Sequence, residues 1–275
     1  MSMFTNPTGP LIKNGPLESL ITYFKVINEE RKMKKLTSLL LVFAMALACA
    51  GCGSSGKGGD TDAKSEGVMT YEEYMAADLE SEVVVEAYVQ AKQSWWENQA
   101  TVYAQDKDGG YFFYNMACTE EDYAKLTPGT KIKVTGYKAE WSGEVEIIDA
   151  TFEIGEGSYV AEAEDVTSLL GSDDLIKHQN KFVSFKGLTV EAADESGAAF
   201  LYNWDGSGQE GDDLYFNVSV DGQTYTFTVE SYLCDSSTEV YAAVKGLNVG
   251  DTIDAEGFLY WYEGVNPHIT SVKVK

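Results

Sequence analysis

Arginine is almost missing: Arg31 is the only one in 275 residues. Without guanidinium groups the chain has no planar fork for bidentate recognition of phosphate or guanine. Bases of both kinds are scarce, with Lys+Arg 20 against Asp+Glu 44 and a formal charge of -24. Six of the bases and only three of the acids fall in residues 1–52, so the acid excess lies in the remainder. A field of that sign repels polyanions and argues against nucleic acid as a partner. Histidine occurs twice and cysteine four times, at no spacing that builds a metal site. There is no nucleophile-elbow pattern and no glycine-rich loop leading into a helix. From this inventory we expect no catalytic residue, no cofactor and no resident metal, and therefore no enzyme. Asp205, Ser207 and Gln209 alternate as calcium-loop ligands do, but Phe216 stands where the closing Glu of an EF-hand belongs, so the segment reads as a solvated loop. What is present is a composition 44% hydrophobic and 12% aromatic, enough for one large core or two small ones.

Long apolar runs are lacking too. Leu39–Ala48 is ten residues, short of the roughly 20 that a membrane-spanning helix needs. Preceded by Met33-Lys34-Lys35, it reads as the apolar region of a signal peptide over residues 33–52. Cys49-Ala50-Gly51-Cys52 follows, then Gly53-Ser54-Ser55-Gly56. This stretch resembles the lipobox of bacterial lipoproteins, which implies acylation of Cys52, with Cys49 as the alternative. Residues 53–67 then form a Gly/Ser-rich tether with a root-mean-square reach of roughly 20 Å. The expected address is the cell membrane, lipid-anchored and extracytoplasmic. Residues 1–32 fit no signal, and Glu29-Glu30-Arg31-Lys32 can be encoded by an all-purine stretch, so Met33 is the expected start.

The chain repeats itself. Leu126, Gly129, Ile132, Val134, Gly136 and Tyr137, with Trp141 and Gly143 downstream, recur as Leu247, Gly250, Ile253, Ala255, Gly257 and Phe258, with Trp261 and Gly264. A period above a hundred residues means two domains rather than a solenoid. We place them at 68–158 and 159–275. Six lysines stand in each, against 18 acids in the first and 20 in the second. Alternation predicts strands over Glu82–Gln90, Gln99–Gln105, Tyr111–Met116, Lys131–Tyr137 and Glu144–Phe152 in the first copy. In the second it predicts Lys181–Ala192, Leu214–Val220, Gln223–Val229, Thr252–Tyr262 and His268–Val274. Helices are expected after the third strand of each, from Thr119 and from about Ser236, and short ones before each unit at Thr70–Ala77 and Asp165–Leu169.

Three strands, a helix and two strands is the order of the OB-fold. The fold class is thus all-β with short helices, two tandem five-stranded OB-like Greek-key barrels. Together with the lipobox, the chain resembles a bacterial envelope lipoprotein with tandem OB-fold-like domains. OB barrels bind on the face of strands two and three, between the loops joining strands one to two and four to five. That rule nominates Trp95, Trp96, Tyr103 and Trp141 in the first copy, and Trp204, Tyr260 and Trp261 in the second. Aromatic platforms beside carboxylates suit a protein or carbohydrate ligand. The expected function is a non-catalytic, lipid-anchored binding or adaptor protein. The alternative is an accessory protein that binds single-stranded nucleic acid or oligosaccharide.

Overall fold

The computed structural model describes residues 64–275. The expected signal peptide, Cys49, Cys52 and most of the tether lie outside the described residues. The tether's last residues, 64–67, are docked rather than loose, since Lys64 pairs with Asp106 at 2.6 Å and donates to the Glu86 carbonyl.

A short helix, α1 (Tyr71–Ala76), opens the first barrel with a capping box between Thr70 and Glu73. Lys138 from the barrel wall donates to the Met75 and Ala77 carbonyls at its far end. Five strands follow: β1 (Glu82–Lys92), β2 (Gln99–Gln105), β3 (Gly110–Ala117), β4 (Thr130–Trp141) and β5 (Glu144–Ser158), with α2 (Glu120–Lys125) between β3 and β4. They close in the order β1-β2-β3-β5-β4, with β4 returning to β1 and β3 meeting β5 in parallel at Phe113 and Ile147. Val83, Val85, Val102, Phe113, Ile132 and Val134 point inward, and in β4 Lys131, Lys133 and Thr135 alternate with them, so the alternation read there is the barrel's inside and outside.

The second barrel repeats the plan. A linker carries β6 (Glu164–Asp165) and two 3-10 turns, Thr167–Leu169 and Asp173–His178, in place of the helix expected at Asp165–Leu169. Then come β7 (Phe182–Glu191), β8 (Leu201–Tyr202), β9 (Leu214–Val220), β10 (Gln223–Val229), α3 (Glu239–Lys245), β11 (Thr252–Phe258) and β12 (His268–Val274). The β7–β9 pairing closes a five-stranded ring, β7-β11-β12-β10-β9, and β6 and β8 extend it. The parallel contact recurs between β10 and β12 at Thr228 and His268. Two rings with the same order, the same parallel pair and a helix after the third strand are two OB barrels. The strand expected to run to Tyr262 stops at Phe258, and Trp261 instead bridges Val265 across a tight loop.

The duplicated glycines follow from this geometry. Gly129 and Gly250 sit at φ of +90° and +93° before β4 and β11, where a side chain is strained. Gly136 and Gly257 lie where the neighbouring strand crosses close. A Cβ on Gly257 would stand 2.2 Å from the His268 carbonyl oxygen, and one on Gly136 2.7 Å from Ile147.

Candidate functional site

The first barrel's usual OB face is covered. Tyr103 from β2 and Phe112 from β3 point outward yet are buried, because Phe258 of the second barrel packs on them. The Tyr103 and Phe258 rings stack at 4.4 Å, and the Tyr103 hydroxyl shares a 2.8 Å hydrogen bond with His268 Nδ1. Polar contacts frame this seam. The Phe182 amide donates to Gln105 Oε1, Asn180 Nδ2 to the Val145 carbonyl, and the Ser94 amide to the Tyr232 carbonyl. Tyr103 is therefore corrected as a ligand-face residue: its ring is interior to the two-barrel body. Tyr111 and Phe113, on the same strand pair, turn into the first barrel's core.

The matching face of the second barrel is open, and a cleft of about 800 Å³ lies on it. Its floor is the outward side of β9 and β10: Tyr215 and Asn217, then Thr226 and Thr228, with Glu230 just beyond. One wall is the insertion between β7 and β9, which supplies Ala193, Leu201, Trp204 and Asp213. The other is the loop between β11 and β12, with Tyr260, Tyr262, Glu263, Asn266 and then His268. Trp141 joins this wall from the first barrel, its ring 5.1 Å from that of Tyr262. The β4–β5 hairpin is fixed there by the Glu263 amide donating to the Ser142 carbonyl at 2.7 Å.

Hydrogen bonds hold the floor in place. Thr226 donates to Asn217 Oδ1 and Thr228 to Asn266 Oδ1, each at 2.8 Å. Asp213 accepts from the Ser231 amide and hydroxyl. Glu230 accepts from Gln93 Nε2 of the first barrel at 2.9 Å. Burial, helped by the Asp213 charge, pushes the Glu230 carboxyl up to about 8. Burial likewise lowers His268 to about 3. At neutral pH both groups are largely uncharged, so their 3.9 Å approach is not an ion pair. The cleft floor is a neutral, hydrogen-bonding surface between aromatic walls. Among the described residues no cluster of His, Cys, Asp and Glu could hold a metal.

Of the residues nominated from sequence, the fold brings Trp141, Trp204 and Tyr260 into one cleft. Trp204 is 72% exposed, and Tyr260 stacks on His268 at 4.2 Å. Trp95 and Trp96 do not line it: Trp95 is half-buried and donates its indole N–H to the Cys118 carbonyl, while Trp96 is 68% exposed elsewhere. Trp261 lies behind the wall, packed on the second core and on Gly143, with its amide on Glu144. Tyr262, Asp213 and Glu230 were not singled out. Alternation along β10 could have found the threonines, but nothing local marks Glu230. Cys118 and Cys234 are separate buried thiols.

No family model and no curated protein matches the chain. Among solved structures, a murine DNA-binding protein bound to double-stranded DNA matches with a TM-score of 0.34 and 12% identity, over 70% of this chain and 94% of that one. A HINa domain in complex with a 20-base-pair DNA duplex gives 0.33 and 8%, over 71% and 98%. A replication protein A heterotrimer bound to single-stranded DNA gives 0.30 and 11%, over 70% and 49%. The strand orders above define the chain as a tandem OB-barrel protein. Against the expectation from charge that nucleic acid is an unlikely partner, these three neighbours are DNA complexes. The mean charge of a chain does not describe a local surface such as this floor, where hydroxyl and amide groups lie between aromatic rings.

Proposed function

We propose that the protein is a non-catalytic binding module whose second barrel seats the rings of a single-stranded nucleic acid or an oligosaccharide. The observation that carries this reading is the cleft itself, where Trp204 faces solvent beside a floor of amide and hydroxyl groups. Indole and phenol faces stack on bases and on sugar rings alike, contributing about 1 to 3 kcal/mol per stacked base. The first barrel acts as a buttress that lends Trp141 and Gln93 to the site. Acylation at Cys52 would hold the pair just outside a cell membrane, as an envelope lipoprotein. Titration of the full chain with oligo-dT and with neutral oligosaccharides, read by tryptophan fluorescence at low and high salt, tests the reading. Binding of either class supports it, a steep loss of affinity with salt identifies contacts to a polyanion, and silence toward both overturns it.

A further inference from the structure

The cleft wall and floor bring five aromatic rings (Trp141, Trp204, Tyr215, Tyr260, Tyr262) together with three carboxyl groups, those of Asp213, Glu230 and Glu263. No lysine lines the cleft, and its one histidine is already hydrogen-bonded to Tyr103. From this juxtaposition we propose that the cleft selects cationic rings, so that its ligand is an oligosaccharide bearing positively charged amino-sugar units. The proposal rests on the ring-stacking reading above and narrows it.

Aromatic faces present negative potential, and a cation seated over them is attracted most strongly where water is excluded. Glu230 is the deepest carboxyl in the cleft, with its side chain 13% exposed. The groups that face it are Asp213 and Tyr215 from the insertion and β9, Cys234 from the segment after β10, Tyr260 and His268 from the β11–β12 side, and Tyr103, Tyr114 and Gln93 from the first barrel. None of these brings a positive charge at neutral pH. The protein has built a seat lined by rings and carboxyl groups and supplied no internal counter-ion. An ammonium entering it would displace the Glu230 proton to solvent and pair with the carboxylate that remains, so one cation enters and one proton leaves. A neutral ring could use the stacking surface but not this exchange. Exposed Glu263 at the rim would attract the same charge on approach.

The test compares two probes on one sugar backbone: a glucosamine trisaccharide fully N-acetylated and so neutral, and the same trisaccharide fully N-trimethylated and so cationic at every pH. Affinities are measured by calorimetry on the full chain from pH 6 to 9, in buffers of differing ionisation heat. We expect the cationic probe to bind about tenfold tighter at pH 9, the scale of one desolvated cation–π contact. Its affinity should rise with pH, and proton release should show in the buffer dependence. Glu230→Gln keeps the shape of the protonated acid and removes its exchangeable proton, so it should flatten that rise and abolish the proton release seen in the buffer dependence. Equal binding of the two probes, or tighter binding of oligo-dT than of the cationic sugar, overturns the charge selectivity and leaves ring stacking standing. If neither sugar nor the oligonucleotide binds, the proposed function falls with it.

Discussion

Glu144 is fully buried at the seam, and its carboxyl is pushed well above the ordinary range, first by burial and then by neighbouring Glu146. One oxygen accepts from Gln179 and from the Trp261 amide. The other oxygen and Asn180 Oδ1 are both buried acceptors without a donor. A proton on Glu144 removes a buried charge that no cation offsets and turns that oxygen into a donor, which is the physical reason to keep this acid neutral. Because its folded pKa is raised, the folded state holds a proton that the unfolded state gives up. Stability is therefore greatest below about pH 4.5 for this group and declines as pH climbs toward the folded value. Glu146, raised to about 7, and Glu230, raised to about 8, act in the same direction. Thermal melts from pH 5 to 9 should show a falling midpoint in the wild type. Glu144→Gln should fall less steeply and melt higher at pH 8; an unchanged slope would show that Glu144 is ionised. At Tyr103, Phe substitution removes the partner of a buried imidazole and should cost about 1 to 3 kcal/mol. Chemical denaturation measures that loss. None of these roles was legible locally, since a Glu or Tyr on an outward strand position looks the same whether water or another barrel lies beyond it.

Strands were the legible elements. In β4 the inward Ile132 and Val134 are separated by polar residues, and the period of two survives into the folded barrel. The duplicated glycines were legible as a repeat, and the crossing of β12 over Gly257 shows why only hydrogen fits. Gly257→Ala should force β11 and β12 apart, costing about 1 to 3 kcal/mol as overpacking does. Because His268 stands at that crossing, the same change should weaken ligand binding; a stable variant with wild-type affinity would contradict the account. The loop after β11 reads as strand in the sequence because Tyr260, Trp261 and Tyr262 are strand formers. Tertiary contacts decide it instead: the Glu263 amide is taken by the β4–β5 hairpin and the Trp261 amide by Glu144. That turn aims Tyr262 at Trp141. Trp141→Ala should accordingly reduce affinity at the second barrel while leaving the melting temperature of the first nearly unchanged, a pairing that the sequence, placing Trp141 in the first barrel's own site, could not anticipate.

At the scale of the whole molecule, tandem barrels could each keep an open ligand face or bury one against the other. Stacking of Tyr103 on Phe258 buries the first. Repeat symmetry gives no hint of that inequality, because both copies carry an outward aromatic ring on strand two, Tyr103 and Tyr215. The proposed anchor belongs to this scale as well. Were Cys52 acylated, two chains would provide stable attachment where one would hold only marginally. Cys52→Ala should therefore move the protein from the membrane to the soluble fraction, and labelled-lipid incorporation that survives this change but is lost in Cys49→Ala would place the modification at Cys49. The central claim is that the ligand surface is the second barrel's cleft and not the first barrel's exposed ring. Both Trp204 and Trp96 stand largely in solvent, so neither truncation should disturb the fold. Titrating Trp204→Ala and Trp96→Ala in parallel with the ligand that the wild type binds tests the claim directly: Trp204→Ala should lose at least tenfold in affinity, the scale of one lost stack, with Trp96→Ala indistinguishable from wild type. Loss of binding in Trp96→Ala with Trp204→Ala unaffected would contradict it.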